Sequence, residues 1–428
     1  MLSKQNEISR RDAVKILGAG AISLSLLASC GNSTTSSSGK PQGNVTVWYY
    51  PFGDGVEQLY AQFVKEFQKE YPDIKVKMQL QPWDNRNPKI LSAIAAGQGP
   101  DVFYITTDPL IRFAEAHAIA PLDDQLPKSL WDGIVKSAAD EVTYKGSHWY
   151  LPLWHELPVW MYVPSLLEEI GWNPKQPPAT WDDMRQVCEK AQQKNLAGWG
   201  YNAASVTLND TFYPFLYQAG GRPFSPDGKH AAFNDQAGVE ALSFIADLFK
   251  NNWSPKAYMS PMSTSNESPF FQKKQIVSIQ YKQNTLTNAL KNFSSLNVQV
   301  TPVLKHKEQW GFGALAGWAM SSNAQNKEAA AAWLSFLARP EITQRHCESI
   351  GDMPVVQKAT TTIFQNAPML KALNVELPYT FGEQKNKYGR DIMPLVIPEI
   401  QAAIIGQKTP KQALDAAANK VDALLAKG

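Results

Sequence analysis

The chain has 428 residues, with 41 Lys and Arg against 39 Asp and Glu and a formal charge of +2. Four basic residues (Lys4, Arg10, Arg11, Lys15) and two acidic ones (Glu7, Asp12) precede Cys30, so taking them from 41 and 39 leaves 37 of each sign in the remainder. That balance lacks the basic surplus that nucleic-acid binding needs, and about 400 residues suffice for two domains with sizeable cores.

The first element is an export signal. Ser9-Arg10-Arg11-Asp12-Ala13-Val14-Lys15 leads into an apolar run over 16–27 that is too short to span a bilayer. It ends at Leu27-Ala28-Ser29-Cys30, which resembles a bacterial lipobox whose cysteine carries the lipid. Ser-Arg-Arg-x-x-x-Lys resembles a twin-arginine signal, with Ala13 where a bulky apolar residue is usual. The expectation is a signal peptide over 1–29 and a lipid anchor on Cys30, with the rest of the chain in the cell envelope outside the cytoplasm. Residues 30–43, rich in Ser, Thr and Gly, cannot bury enough apolar area to fold and read as a flexible tether.

Val45-Thr-Val-Trp-Tyr-Tyr50 is β-branched and aromatic and predicts a buried strand. A Pro-Phe-Gly-Asp-Gly loop leads to a helix over 56–71, with Leu59, Phe63, Val64 and Phe67 on one face, and Pro72-Asp73 ends it. Residues 74–80 alternate as a strand. A helix over 87–96 stops at Gly97-Gln-Gly-Pro100, a third strand covers 101–105, and 114–119 read as helical. Later, 276–280 reads as a strand with Tyr281 behind it. Strands alternating with helices predict an α/β fold with mainly parallel pairing. Ligands in such folds bind beyond the carboxyl ends of the strands. Tyr49, Tyr50, Trp83, Asp84, Thr106, Thr107 and Asp108 all follow predicted strand ends, which makes them one candidate group.

The opening β-loop-α unit, Ala95-Ala-Gly-Gln-Gly-Pro-Asp-Val102 and Phe113-Ala-Glu-Ala-His-Ala-Ile-Ala-Pro-Leu122 carry a resemblance. So do the stretch 146–152, Met161-Tyr-Val-Pro164, where Val-Pro replaces a usual Asn-Lys, Thr180-Trp-Asp-Asp183, Gly317-Trp318 and Gly351-Asp-Met-Pro354. In this order the chain resembles the extracellular solute-binding proteins of ABC importers. Among these it is similar to the family that includes the maltose- and glycerol-3-phosphate-binding proteins. The resemblance covers nearly all of 44–428. It implies a two-lobed periplasmic-binding-protein fold (type II) with three hinge crossings, placed near Pro152, Gly317 and Asp352. Lobe 1 would be 44–152 plus 315–352, and lobe 2 would be 153–314 plus 353–428. Cys188 and Cys347 then fall in different lobes, where a bridge would lock the hinge, so both are expected as free thiols.

The resemblance puts Glu156, after the first crossing, where oligosaccharide binders place a carboxylate on sugar hydroxyls; a carboxylate accepts from two adjacent hydroxyls. Trp154 can stack on a pyranose face or pack the hinge, and His155 reads as packing between lobes. Trp83-Asp84 pairs a stacking plane with an acceptor, although Asp84 also suits a helix N-cap. Thr107-Asp108, Asp210 beside Asn209, Tyr281, Trp318 and Asp352 complete the expected binding set, each with a capping, packing or hinge role as the other reading. Arg390 is the residue on which a phosphorylated ligand would depend, since a guanidinium forks two hydrogen bonds onto an anion; its other reading is an ion pair.

With no CxxC, no HExxH and no His/Cys cluster at metal spacing, no cofactor or metal is expected. Thirteen Trp offer stacking surfaces for a flat-faced ligand. The expected function is that of a monomeric, lipid-anchored receptor that closes about its hinge on a sugar or oligosaccharide and delivers it to an ABC permease. The alternatives are a glycerol-3-phosphate or glycerophosphodiester receptor, and a sensor lipoprotein of the same fold that no longer serves transport. Glu156 and Asp84 could in principle serve a glycosidase, but no nucleophile elbow or metal motif accompanies them, and no enzyme activity is expected.

Overall fold

The computed structural model describes residues 41–427, apart from 205–206, 261–272, 284–285, 287–296, 366–371, 374–375, 377–378 and 383, and apart from the side chains of residues 281, 282 and 381. The expected signal, Cys30 and the tether up to residue 40 lie outside the described residues. Among the described residues, no helix is long and apolar enough to cross a membrane.

The strands in chain order are β1 (Gly43–Tyr49), β2 (Ile74–Leu80), β3 (Val102–Thr106), β4 (Thr143–Tyr144), β5 (Ser147–His148), β6 (Leu151–Glu156), β7 (Pro158–Tyr162), β8 (Ala197–Gly200), β9 (Ile276–Lys282), β10 (Gln299–Thr301), β11 (Gly311–Phe312), β12 (Ala314–Met320), β13 (Met353–Pro354) and β14 (Thr380–Phe381). A six-stranded sheet has the order β13-β6-β12-β3-β1-β2, and a four-stranded sheet has the order β10-β7-β9-β8.

In the first sheet β1 runs parallel to β2 and β3, as strands joined by crossover helices must. The edge strand β2 keeps the alternation of IKVKMQL, with Ile74 buried and Lys75 and Lys77 exposed, whereas all five residues of β3 are buried because both its faces are covered. The Val56–Glu70 helix covers this sheet through Val56, Tyr60, Phe63 and Phe67. Full burial of each such side chain contributes roughly 1.5–3 kcal/mol. The helix expected over 114–119 is displaced: it spans Leu110–Glu115, and Ile119 bridges to Ser321 instead.

In the second sheet β7 pairs antiparallel with β9 and β10, and β8 parallel with β9. The Trp181–Gln192 helix starts at a capping box, in which Thr180 Oγ1 accepts from Asp183 N at 3.1 Å and Asp183 Oδ2 accepts from Thr180 N at 3.0 Å. Such a cap contributes about 1 kcal/mol. Cys188 on this helix lies against Gly198 of β8, where a Cβ would come within 2.6 Å of the sulfur. Cys188 and Cys347 are both buried free thiols, and burial pushes the pKa of each upward.

The chain passes from β6 of the first sheet through Leu157 to β7 of the second and returns to the first sheet at β12. All of β6 to Glu156 pairs within the first sheet, past the Pro152 position at which the first crossing was expected. Residues 353–363 stay with the first sheet as well. Met353 and Pro354 pair with β6, Val135 N donates to Val355 O at 2.8 Å, and Ile134 bridges to Val356. The cause is the otherwise open edge of β6, which takes β13 as its partner, together with apolar Met353, Val355 and Val356, which are buried there.

His346 is a buried polar group in this body, only 5 % exposed, with Nε2 hydrogen-bonded to Tyr60 Oη at 2.8 Å. Burial lowers its pKa from 6.5 to about 3, so it stays neutral when folded. Burial also pulls His155 down, to about 4. A histidine with a depressed folded pKa contributes its full stability above the unfolded pKa and loses it as pH falls toward the folded value. Between pH 6.5 and 5 the wild type should therefore lose about 2 kcal/mol more than His346→Gln. Urea unfolding of both proteins at the two pH values measures this; groups common to both cancel in the difference, and equal losses would contradict it.

Candidate functional site

An open cleft of about 820 Å³ lies where the first sheet faces the loops that follow the second. One wall is aromatic. Trp83, 44 % exposed, stacks on buried Tyr50 with centroids 4.7 Å apart and planes 23° apart. Phe52 meets Tyr104 edge-on at 4.9 Å, and Trp83 and Trp154 each at 5.8 Å. Tyr104 of β3 lies nearly parallel to Trp154 of β6 at 5.8 Å and 20°. Between these two strands runs β12, which lines the cleft with Ala314 and Ala316 only. Burial pushes the Tyr50 hydroxyl up to about 12, and the Arg86 charge works against that shift.

Another part of the lining is mainly polar. Glu156 at the end of β6, Asn209, Asp210 and Phe312 line both the cleft and a smaller recess of about 80 Å³ that continues it past Tyr201, Asn202 and Gln280. Asn209 is buried, and its Oδ1 has no hydrogen-bond partner among the described residues.

The third side is charged. Arg390 Nε donates to Asp108 Oδ2, and Thr106 Oγ1 donates to Asp108 Oδ1. Arg86 Nη2 donates to Thr106 Oγ1 at 3.1 Å, while its guanidinium lies 5.0 Å from the Tyr104 ring centroid. Arg112 Nη1 donates to both carboxylate oxygens of Asp391, at 2.8 and 2.9 Å. Burial by itself would raise the Asp108 carboxyl. The charges of Arg390 and Arg86, with the hydrogen bonds from Arg390 and Thr106, outweigh burial and hold it below the ordinary value.

Of the residues expected at the site, the fold brings Trp83, Asp108, Trp154, Glu156, Asp210, Asp352 and Arg390 into the cleft lining. Tyr50 is not part of that lining and supports Trp83 from behind. Thr107 turns away: Thr106 faces the cleft, so the next side chain points to the other side of the chain, where its hydroxyl donates to Glu141 Oε1 at 2.7 Å and sits 2.8 Å from Tyr150 Oη. Asp84 is exposed and outside the lining, and it is not the helix cap, because Asn85 holds that position in a left-handed conformation. Trp318 is 1 % exposed and packs edge-on against Tyr60 and Trp154 at 6.0 and 6.2 Å; it is core beneath the cleft, reached past a register shift at Ala316/Gly317. Tyr281 lies on β9, but its side chain is outside the described residues.

Phe52, Arg86 and Tyr104 were not anticipated. Phe52 sits in the loop after β1, the position that singled out Tyr50, so the same rule could have found it. Tyr104 lies inside a strand whose residues are all apolar or β-branched, and nothing in its local pattern separates a cleft-facing ring from a core ring.

Trp318→Ala is accordingly a core deletion, expected to cost about 3–5 kcal/mol in ligand-free unfolding. Trp83→Ala removes one half-exposed stack and should cost about 1 kcal/mol. Thermal and urea unfolding of the two variants without ligand separates these roles, and a larger loss for Trp83→Ala would reverse the assignment.

Residues 53–344 match the family of bacterial extracellular solute-binding proteins. The chain is similar to a maltotriose-binding protein of Pyrococcus abyssi, with 25 % identity over 350 residues that cover 80 % of this chain and 71 % of the relative. It is also similar to an arabinooligosaccharide-binding protein of Bacillus subtilis, with 28 % identity over 232 residues that cover 53 % and 52 %. In fold it is similar to the crystal structure of the cyclic α-maltosyl-1,6-maltose binding protein from Arthrobacter globiformis, at a TM-score of 0.76 and 20 % identity, covering 90 % of this chain and all of that one. With a family match over most of its length and the two-lobed fold of such proteins, the chain belongs to the bacterial extracellular solute-binding protein family.

Proposed function

We propose that this chain is the substrate-binding receptor of an ABC importer, and that it takes a neutral sugar or oligosaccharide into the cleft. The observation that carries the reading is one cleft lined both by aromatic rings (Phe52, Trp83, Tyr104, Trp154) and by carboxylates and an amide (Glu156, Asp210, Asn209). A pyranose has an apolar face suited to stacking and adjacent hydroxyls suited to carboxylate acceptors. The cleft volume lies within the range of small-molecule sites. The relatives named for maltotriose and arabinooligosaccharide point to the same ligand class.

The phosphate reading loses its support. It depended on Arg390, and Arg390 holds Asp108. Among the described lining residues, four basic side chains (Arg86, Arg112, Lys387, Arg390) face five carboxylates (Asp108, Glu156, Asp210, Asp352, Asp391), so a phosphate meets no surplus of positive charge.

In the proposed cycle a monomer anchored through Cys30 holds ligand on one lobe, closes about the crossings and docks on the permease. Closure proceeds only as far as the ligand favours the closed state. A ligand that binds only the folded protein stabilises it by about 2.7 kcal/mol at a hundred times its Kd. In a thermal-shift screen of the 31–428 chain, neutral oligosaccharides should raise the melting temperature and glycerol-3-phosphate and its diesters should not. A shift with phosphates alone, or with no saccharide in a broad panel, would overturn the reading.

A further inference from the structure

The cleft contains three arginines, yet each guanidinium is already directed to a protein group. Arg112 is held by Asp391. Arg390 is held by Asp108, whose side chain is only 5 % exposed while that of Arg390 is 40 % exposed. Arg86 reaches the same acid at one remove, through Thr106 Oγ1, which accepts from Arg86 and donates to Asp108. The Arg86 guanidinium also sits 5.0, 5.6 and 5.9 Å from the ring centroids of Tyr104, Trp83 and Tyr50. One buried carboxylate thus links two guanidiniums, of which Arg86 borders the aromatic wall. Both arginines line the cleft, and an anionic oxygen entering between them would have to displace the hydrogen bonds Asp108 already takes.

We propose that Asp108 is the residue that sets the charge selectivity of this cleft: it occupies Arg390 and, through Thr106, Arg86, so that neutral ligands enter and anionic ones are refused. The inference rests on the cleft being the ligand site, but not on which neutral ligand it holds. Asp108→Asn keeps the shape and one hydrogen-bond acceptor while removing the charge. Arg390 and Arg86 then face the cleft with no carboxylate between them, a geometry that fits the forked recognition of phosphate or carboxylate.

The test is calorimetric titration of the 31–428 chain at pH 7 and low salt with three probes: inorganic phosphate, trigalacturonate and maltotriose. The wild type should bind the two anions weakly or not at all. Asp108→Asn should bind them about tenfold tighter or more, the equivalent of one charge-assisted hydrogen bond. Asp108→Glu should restore the refusal, and Arg390→Met added to Asp108→Asn should abolish the gain. The readout is the affinity for anions relative to maltotriose, because a merely structural defect lowers all three together. If Asp108→Asn does not fold, Asp108→Ser is read in the same way. Unchanged anion binding in the folded variant, or wild-type anion binding as tight as that of maltotriose, overturns the inference. If no neutral saccharide binds either protein, the sugar reading fails, while the phosphate arm still decides the role of Asp108.

Discussion

Tyr104 and Trp154 stack at 5.8 Å although they stand on strands that are not neighbours. Adjacent strands lie about 4.8 Å apart, so side chains on β3 and β6, with β12 between them, begin about 10 Å apart. The two rings close that distance by leaning over β12, where the small Ala316 lies opposite Trp154 and Trp318 lies opposite Tyr104. A leucine at Ala316 would fill the space the rings share and split the aromatic wall. Phe52 then seals the wall edge-on, and Trp83 extends it to the rim over Tyr50. The shape of the cleft therefore follows from a small residue on a returning strand as much as from the aromatics themselves.

The same strand organises the chain. By entering antiparallel between β3 and β6, β12 ties the return from the second sheet into the middle of the first. At this point Gly317 passes so close to β6 that a Cβ would lie 1.9 Å from Leu151 O. Glu156 and Phe312, flanking the passages into and out of the second sheet, line the cleft for that reason. The charged side is built differently, from residues 108–112 on one side and 390–391 on the other, paired reciprocally as Asp108 with Arg390 and Arg112 with Asp391. Each segment carries one acid and one base, and both ion pairs cross between the segments, so the pairing ties 108–112 to 390–391.

Much of this was legible in the sequence, and the failures share a cause. The opening β-α-β-α-β run follows from local periodicity, and its strands fall within a residue or two of their expected ends. The rule that ligand groups follow strand ends brought Trp83 and Asp108 into the candidate set and passed over Phe52, which sits at the same kind of position. What local pattern cannot give is which way a side chain points and which strand lies alongside. Thr107 and Trp318 are chemically suited to a sugar but are buried, Thr107 by strand parity and Trp318 because Tyr60 and Trp154 pack against it. The pairing of β13 on the open edge of β6 was hidden for the same reason, since it joins residues some two hundred positions apart. Arg390 reads in the sequence as the anchor of a phosphorylated ligand or as an ion pair, and the ion-pair partner, Asp108, is 282 residues away, where no spacing rule connects the two.

The most direct test of the account is a crystal structure of the 31–428 chain grown with the saccharide that gives the largest thermal shift. The account predicts a sugar ring against Trp83 or Trp154, hydroxyls on Glu156 or Asp210, and the Asp108–Arg390 pair intact beside it. A ligand bound away from the aromatic wall, or seated with Arg390 withdrawn from Asp108 onto it, would contradict the account.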